Sequence, residues 1–124
     1  MKADGTKCVL VVDDQPMVRE TLKMLLQFEG YQVCVADNGH SALEIFQPGK
    51  FALIFTDFEM PGMNGHELAS IIKAHAPDQP IIMVTAYADM LLAGDPLPHI
   101  DALLVKPWTI DEIRAAITEA MPVL

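Results

Sequence analysis

The sequence has little of several features that define common protein classes. Of its 124 residues, 8 are Lys or Arg and 17 are Asp or Glu, which gives a net charge of −9. An acidic chain repels phosphate backbones, so we expect no direct binding of nucleic acid. No apolar run approaches the ~20 residues needed to cross a bilayer. Residues 1–7 are polar and have no signal-peptide core. These absences favour a cytoplasmic location with no contact to a membrane.

Cysteine and metal-binding histidine patterns are also scarce. The two cysteines, Cys8 and Cys34, lie in apolar segments and are predicted to be buried free thiols rather than a disulfide. The four histidines show no HxxH or HExxH spacing, which argues against a zinc site.

A length of 124 residues with 52% hydrophobic residues suits one domain with one core. We expect that domain to span residues 1–124, with its core at about residues 8–121.

The chain alternates between short apolar runs and amphipathic stretches. Strands are predicted at residues 8–12, 31–36, 51–56, 81–84 and 102–105. Helices are predicted at residues 15–29, from Asn38 or Gly39 to about Pro48, at residues 64–75, and at residues 111–121. A further helix at residues 88–93 should be short or irregular, because Pro96 and Pro98 follow it. This alternation predicts a doubly wound α/β fold with a parallel five-stranded sheet.

Polar residues stand where the predicted strands end. Asp13 and Asp14 follow the first strand, Asp57 the third, Thr85 the fourth and Lys106 the fifth. Ligands of such sheets bind at the carboxyl ends of the strands, so these five residues should gather at one edge. Three neighbouring carboxylates are stable only if a cation or protons neutralise them, and hard oxygen ligands suit Mg²⁺. A carboxylate nucleophile beside a metal, a lysine and a hydroxyl indicates phosphoryl transfer through an acyl phosphate.

Four segments make the sequence resemble the receiver domains of two-component response regulators. They are VVDD at residues 11–14, TDFEMPG at 56–62, VTA at 84–86 and VKP at 105–107. The resemblance covers residues 8–121 and implies a flavodoxin-like sheet of order 2-1-3-4-5 with about five helices. It further implies that Asp57 accepts a phosphoryl group from a sensor histidine kinase or a histidine phosphotransfer protein. The phosphorylated domain would then switch its binding to a partner and would turn over no external substrate.

The resemblance also assigns roles to other residues of the site. Asp14 would bind Mg²⁺ directly, Asp13 directly or through water, and the backbone carbonyl of Glu59 would be a further ligand. Thr85 and Lys106 would contact the phosphoryl group. Pro107 is expected to follow a cis peptide bond, which aims the lysine.

Three positions are expected to modulate the switch. In receivers, an aromatic residue three positions before the lysine usually couples the threonine to the output face, and Leu103 occupies that position here. The output face is usually formed by the fourth helix, the fifth strand and the fifth helix. We hypothesise that output in this chain differs from that mode. Glu59 and Tyr87 lie two residues after Asp57 and Thr85. By the resemblance they either tune dephosphorylation or are ordinary loop surface.

Two other functions compete with a receiver. A flavodoxin-like mononucleotide binder would need a loop rich in Ser, Thr and Gly after the first strand. This sequence has Asp13-Asp14-Gln15-Pro16 there, which would repel phosphate in the absence of a metal. A phosphatase with an aspartyl nucleophile would need an acid two residues beyond it, a spacing that Glu59 satisfies, and usually a cap domain. A length of 124 residues leaves no room for a cap.

Overall fold

The fold is a parallel sheet with helices on both faces. The computed structural model describes residues 8–87 and 99–121. The strands are β1 (Cys8–Val12), β2 (Gln32–Ala36), β3 (Phe51–Asp57), β4 (Ile81–Thr85) and β5 (Ala102–Val105). The helices within these ranges are α1 (Pro16–Phe28), α2 (Gly39–Ile45), α3 (Gly65–His75) and α4 (Ile110–Ala120).

All strand pairs are parallel, and the strand order is β2-β1-β3-β4-β5. This order confirms the predicted doubly wound α/β class and its flavodoxin-like topology. The predicted strand boundaries hold to within one residue: β2 begins at Gln32 rather than residue 31, while β3 and β4 each include the polar residue at their end. The irregular helix predicted at residues 88–93 lies outside the described residues.

Two apolar cores form because the strand side chains alternate between the faces of the sheet. One core joins α1 and α4 to the sheet through buried residues such as Leu26, Phe55 and Ile113. The other joins α2 and α3 to the opposite face and includes Ile54 and Leu68. Burial on both faces explains why the strands are continuous apolar runs.

Local signals in the sequence set where the helices begin. Pro16 is the first residue of α1, where its missing N–H costs no hydrogen bond. The side chains of Asn38, Asn64 and Thr109 accept hydrogen bonds from backbone N–H groups in the first turns of α2, α3 and α4. The helical period of residues 15–29 also predicts that Phe28 faces inward, and this is wrong: Phe28 is 85% exposed at the last turn of α1. Of the described helices, none is long and apolar enough to span a membrane.

Both predicted free thiols are confirmed as free, although Cys8 and Cys34 are only partly buried. They pack at the border of the core that contains α2 and α3.

Candidate functional site

The strand-end residues gather at one edge of the sheet, as the sequence predicts. Asp13 follows β1 directly, Asp57 and Thr85 are the last residues of β3 and β4, and Lys106 follows β5. Thr85 pairs with Val105 in the ladder, and the Lys106 N–H donates to the Thr85 carbonyl at 2.8 Å. This pairing brings residues from distant parts of the chain to the same place.

Lys106 joins two of the three carboxylates. Its Nζ lies 3.0 Å from Oδ1 of Asp57 and 3.5 Å from Oδ2 of Asp13. The residues Asp13 and Asp57 are only 3% and 5% exposed, so water screens these charges poorly. The lysine thus provides fixed positive charge beside the nucleophile that the sequence predicts.

The environment of Asp57 disfavours its charged form. Burial raises the pKa of this carboxyl to about 6, and the negative charges of Asp13 and Asp14 act in the same direction, against the hydrogen bond from Lys106. For Lys106, burial alone would lower the pKa. The hydrogen bond to Asp57 and the charge of Asp13 outweigh burial, so the pKa of the lysine is raised. The lysine is therefore charged at neutral pH, and Asp57 is ionised in most molecules.

The three acids fit a hard divalent cation. One carboxylate oxygen from each of Asp13, Asp14 and Asp57 lies within 4.8 Å of the others. Asp14 is less buried than its neighbours, which leaves one side of the cluster open to water. Mg²⁺ prefers a few carboxylates together with several retained waters, so this donor set suits it. A single lysine does not neutralise three carboxylates, which gives a second reason for a cation here.

Within residues 8–87 and 99–121, the hydroxyl group of the buried Thr85 accepts one hydrogen bond and donates none. Its side chain is 1% exposed, and its Oγ1 accepts a hydrogen bond from the Tyr87 N–H at 2.9 Å. An oxygen that accepts this bond keeps its own proton available for donation. The hydroxyl can therefore act as a hydrogen-bond donor in the contact with a phosphoryl group that the resemblance implies for Thr85.

The residues predicted to modulate the site lie in β5 and in the loops that follow β3 and β4. Glu59 and Tyr87 are both exposed, Tyr87 by 49%, in the loops that follow Asp57 and Thr85. Leu103 is partly buried in β5 and pairs with Met83 of β4. The peptide bond between Lys106 and Pro107 is cis, as expected. Their effects on the phosphorylated state stay predictions.

Three contributors to the site were missed from the sequence. The Gln15 N–H donates to Oδ1 of Asp13 at 2.9 Å, and Arg19 Nη1 donates to the Asp13 carbonyl at 2.9 Å. Gly65 lies so close to the backbone of Asp57 that a Cβ there would collide with the Asp57 carbonyl oxygen and crowd Met83. The available signals were an arginine one turn into the helix after Asp14 and a glycine at the start of α3.

An apolar cavity of about 480 Å³ adjoins the site between α1 and the segment after β5. Lys106 and Trp108 line it on one side, and Met17, Val18 and Thr21 of α1 line it on the other. Further along α1, Met24 is 62% exposed. The exposed apolar face of α1 therefore continues up to the lysine that contacts Asp57.

A doubly wound sheet with an acidic pocket, a lysine and a threonine at its carboxyl edge defines a class of phospho-accepting proteins. The family described as "Response regulator receiver domain" matches residues 9–118 of this chain. The chain belongs to that family.

Curated relatives agree with this assignment. The chain is 34% identical over 116 residues to sporulation initiation phosphotransferase F of Bacillus subtilis, covering 92% of this chain and 93% of that protein. It is 34% identical over 101 residues to response regulator protein FleR of Pseudomonas aeruginosa, covering 81% of this chain but only 21% of FleR. The chain thus corresponds to nearly all of one relative and to about a fifth of the other.

Solved structures show the same fold. Response regulator protein TrrA of Thermotoga maritima, crystallised with Mg²⁺-BeF, matches with a TM-score of 0.83 and 39% identity, over 93% of this chain and 99% of that one. A structure of histidine kinase ThkA in complex with TrrA contains a chain that matches with a TM-score of 0.81 and 39% identity, over 93% of this chain and 98% of that one.

Proposed function

We propose that this chain is a signalling receiver in which Asp57 accepts a phosphoryl group and thereby switches binding to a partner. The observation that carries the proposal is the placement of Asp57 beside two further carboxylates, with Lys106 Nζ 3.0 Å from its Oδ1. Buried groups of this kind perturb one another strongly and are typical of functional sites. Membership of the receiver family supports the same function.

Asp57 would act as the nucleophile. One of its oxygens would attack the phosphorus of a phosphorylated histidine, forming the O–P bond of an acyl phosphate as the N–P bond breaks. The electron pair of that bond would remain on the imidazole. No general base is needed, because a carboxyl with a pKa of about 6 is already ionised in most molecules at neutral pH.

Lys106 and Thr85 would stabilise the group that is transferred. The ammonium group of Lys106 would move from its ion pair with Asp57 to a phosphoryl oxygen, where negative charge increases. The Thr85 hydroxyl would donate its free proton to another of these oxygens. Both groups come from rigid strand ends, so they are held close to the required positions before the donor arrives.

The side chains of Asp13, Asp14 and Asp57, with the backbone carbonyl of Glu59, would hold Mg²⁺. When bound, this cation supplies positive charge that neutralises the phosphoryl oxygens during transfer. The complex of TrrA with Mg²⁺-BeF supports the choice of cation.

The donor would be a sensor histidine kinase or a histidine phosphotransfer protein, which the complex of ThkA with TrrA supports. The chain would act on its own aspartate only, in phosphorylation and in any hydrolysis, and would turn over no external substrate.

We further propose that residues 1–124 form one receiver unit, located in the cytoplasm, with no direct contact to nucleic acid or to a membrane.

Glu59, Tyr87 and Leu103 would modulate this switch. Glu59 and Tyr87 are exposed beside the site, where they would affect the access of water to the acyl phosphate and thus its lifetime. Leu103 has no ring to turn inward when Thr85 moves, so phosphorylation would change partner binding by a mode other than the one usual in receivers. The test compares amide hydrogen exchange in the phosphorylated and unphosphorylated protein. Strong changes confined to the usual output face would contradict this hypothesis.

The test is an intact-mass measurement with Mg²⁺ and a small-molecule phosphodonor such as a phosphoramidate. The native chain should gain one phosphoryl group that requires Mg²⁺ and is released by base. Asp57→Asn should gain none. Asp78→Asn is the matched control, because Asp78 is exposed in the loop that precedes β4, at the opposite edge of the sheet.

An adduct that persists in Asp57→Asn, or one that forms equally without Mg²⁺, would contradict the proposal. Catalytic turnover of a generic phosphate ester would instead favour the phosphatase alternative. Phosphorylation of both native and Asp78→Asn proteins, with none on Asp57→Asn, would leave only the identity of the partner to be found.

A further inference from the structure

Arg19 of α1 makes a contact that the chemistry described above does not use. Its Nη1 donates a hydrogen bond to the backbone carbonyl of Asp13 at 2.9 Å, and its side chain is only 17% exposed. The neighbouring Glu20 carboxylate lies 3.7 Å from Arg19 Nε and is 56% exposed, so it competes weakly for the guanidinium. The stronger contact of Arg19 is therefore with the backbone at the metal site.

The carbonyl that Arg19 holds belongs to the peptide unit joining Asp13 to Asp14. The preceding unit is fixed by the sheet, because the Asp13 N–H donates to the Ala36 carbonyl at 3.2 Å. The unit after Asp13 has left the ladder. Since a peptide unit is planar, fixing its oxygen also fixes the direction in which the chain enters Asp14.

The three carboxylates differ in their hydrogen-bond and ion-pair partners. Those of Asp13 and Asp57 have their own partners, namely the Gln15 N–H and Lys106. In the described part of the chain, the Asp14 carboxylate has neither a hydrogen bond nor an ion pair. Its position within the 4.8 Å cluster therefore depends on the backbone that carries it.

We propose that Arg19 is a positioning residue for the Mg²⁺ site: by holding the Asp13 carbonyl, it directs the Asp14 carboxylate toward the cation. This inference rests on the proposed function, in that Asp14 is taken to bind Mg²⁺. Some groups contact the ligands of a metal and orient them without touching the metal itself. Removing such a group typically weakens metal binding by about 10- to 100-fold. Arg19 acts through Asp14 and touches neither the cation nor the phosphoryl group.

A simple effect of charge would have the opposite sign. A positive guanidinium near the cluster repels a divalent cation, so removing it would strengthen Mg²⁺ binding if charge alone mattered. Removing a positioning contact weakens binding. The direction of the change therefore separates the two explanations.

The experiment measures the affinity for Mg²⁺ alone, without a phosphodonor, by calorimetry and by the fluorescence of Trp108. Trp108 is the single tryptophan of the chain and lines a cavity together with Lys106. The variants are Arg19→Met and Arg19→Lys. Lys23→Met is the matched control, since Lys23 lies one turn further along α1, and its contact with Glu20 is a surface pair at 3.9 Å.

We expect Arg19→Met to bind Mg²⁺ about tenfold more weakly or worse, and Lys23→Met to match the native chain. Arg19→Lys keeps the charge with a shorter reach, so its affinity should lie between those of Arg19→Met and the native chain. The proposal would be overturned if Arg19→Met bound Mg²⁺ as tightly as the native chain or more tightly. If Arg19→Met does not fold, a native affinity for Mg²⁺ in Arg19→Lys would overturn it instead.

A second readout separates positioning from general stability. The free energy of unfolding is measured for each variant without Mg²⁺, where a purely structural role would lower it and leave Mg²⁺ affinity unchanged. If the native chain itself binds no Mg²⁺, the proposed function fails. If the native chain binds Mg²⁺ and Arg19→Met binds it equally well, only the role of Arg19 fails.

Discussion

Replacement of Asp57 by asparagine should stabilise the protein when Mg²⁺ is absent. Burial and the neighbouring acids raise the pKa of this carboxyl from 3.8 to about 6, even though Lys106 attracts its charged form. A carboxyl with a higher pKa in the folded state binds more protons when folded. The contribution of Asp57 to the free energy of unfolding therefore falls as pH rises from about 4 to about 6.

The size of the effect follows from that difference in pKa. About two pH units at 1.36 kcal/mol each give roughly 3 kcal/mol at neutral pH, which partial access of water reduces to about 2 kcal/mol. Asn has nearly the same shape as Asp and carries no charge at any pH. Asp57→Asn should therefore exceed the native chain in stability by about 2 kcal/mol at neutral pH and match it near pH 4.

The assay is urea unfolding of both proteins in a chelating buffer at several pH values between about 4 and 7.5. The difference between the two proteins isolates Asp57 from other groups that titrate. Asp78→Asn should follow the native chain throughout. Added Mg²⁺ should reverse the order at neutral pH, because it binds the native site more tightly. Equal stability of native protein and Asp57→Asn at every pH would refute the reasoning.

Three further changes test other parts of the site. Lys106→Met removes the ammonium 3.0 Å from Asp57 and should slow phosphorylation from a small-molecule donor on the order of 100-fold, followed by intact mass. Gly65→Ala should lower the free energy of unfolding by about 2 kcal/mol or more in urea, because the added methyl group meets the backbone of Asp57. The exposed apolar face of α1 leads to the site and is the surface on which we expect a kinase to dock. Met24→Glu places a charge on that face, so it should slow phosphotransfer from a kinase about tenfold without changing stability or the rate with a small donor.

Each of these three predictions can be contradicted without affecting the other two. Native rates in Lys106→Met would remove the lysine from the mechanism, and native stability in Gly65→Ala would mean that the loop after β3 shifts without cost. Equal slowing of both donors in Met24→Glu would place its effect on the site rather than on docking.

The periodicity of the sequence was enough to predict the order of the elements. Apolar runs such as that of β1 and the turn residues between them indicated parallel strands, and Pro16, Asn64 and Thr109 marked where helices begin. The helical period placed Phe28 inward, but Phe28 is exposed at the last residue of α1, just before the turn at Gly30 that leads the chain into β2. A helical pattern gives no information on where the neighbouring sheet ends.

The sequence by itself determined which groups stand at the ends of the strands. The carboxyl ends of parallel strands share one edge, so Asp13, Asp57 and Lys106 had to lie on the same side of the molecule. The chemistry of phosphoryl transfer followed from their types, and the motifs around them indicated the family.

Only the tertiary structure decided the distances and the electrostatics. The 3.0 Å contact between Lys106 and Asp57 depends on how β4 and β5 pair, and the pKa of about 6 depends on the burial that both cores impose on the edge. The bond from Arg19 to the Asp13 carbonyl depends on how α1 packs against β1. Each of these is set by the positions of whole elements relative to one another, which residue types and their spacing along the chain do not specify.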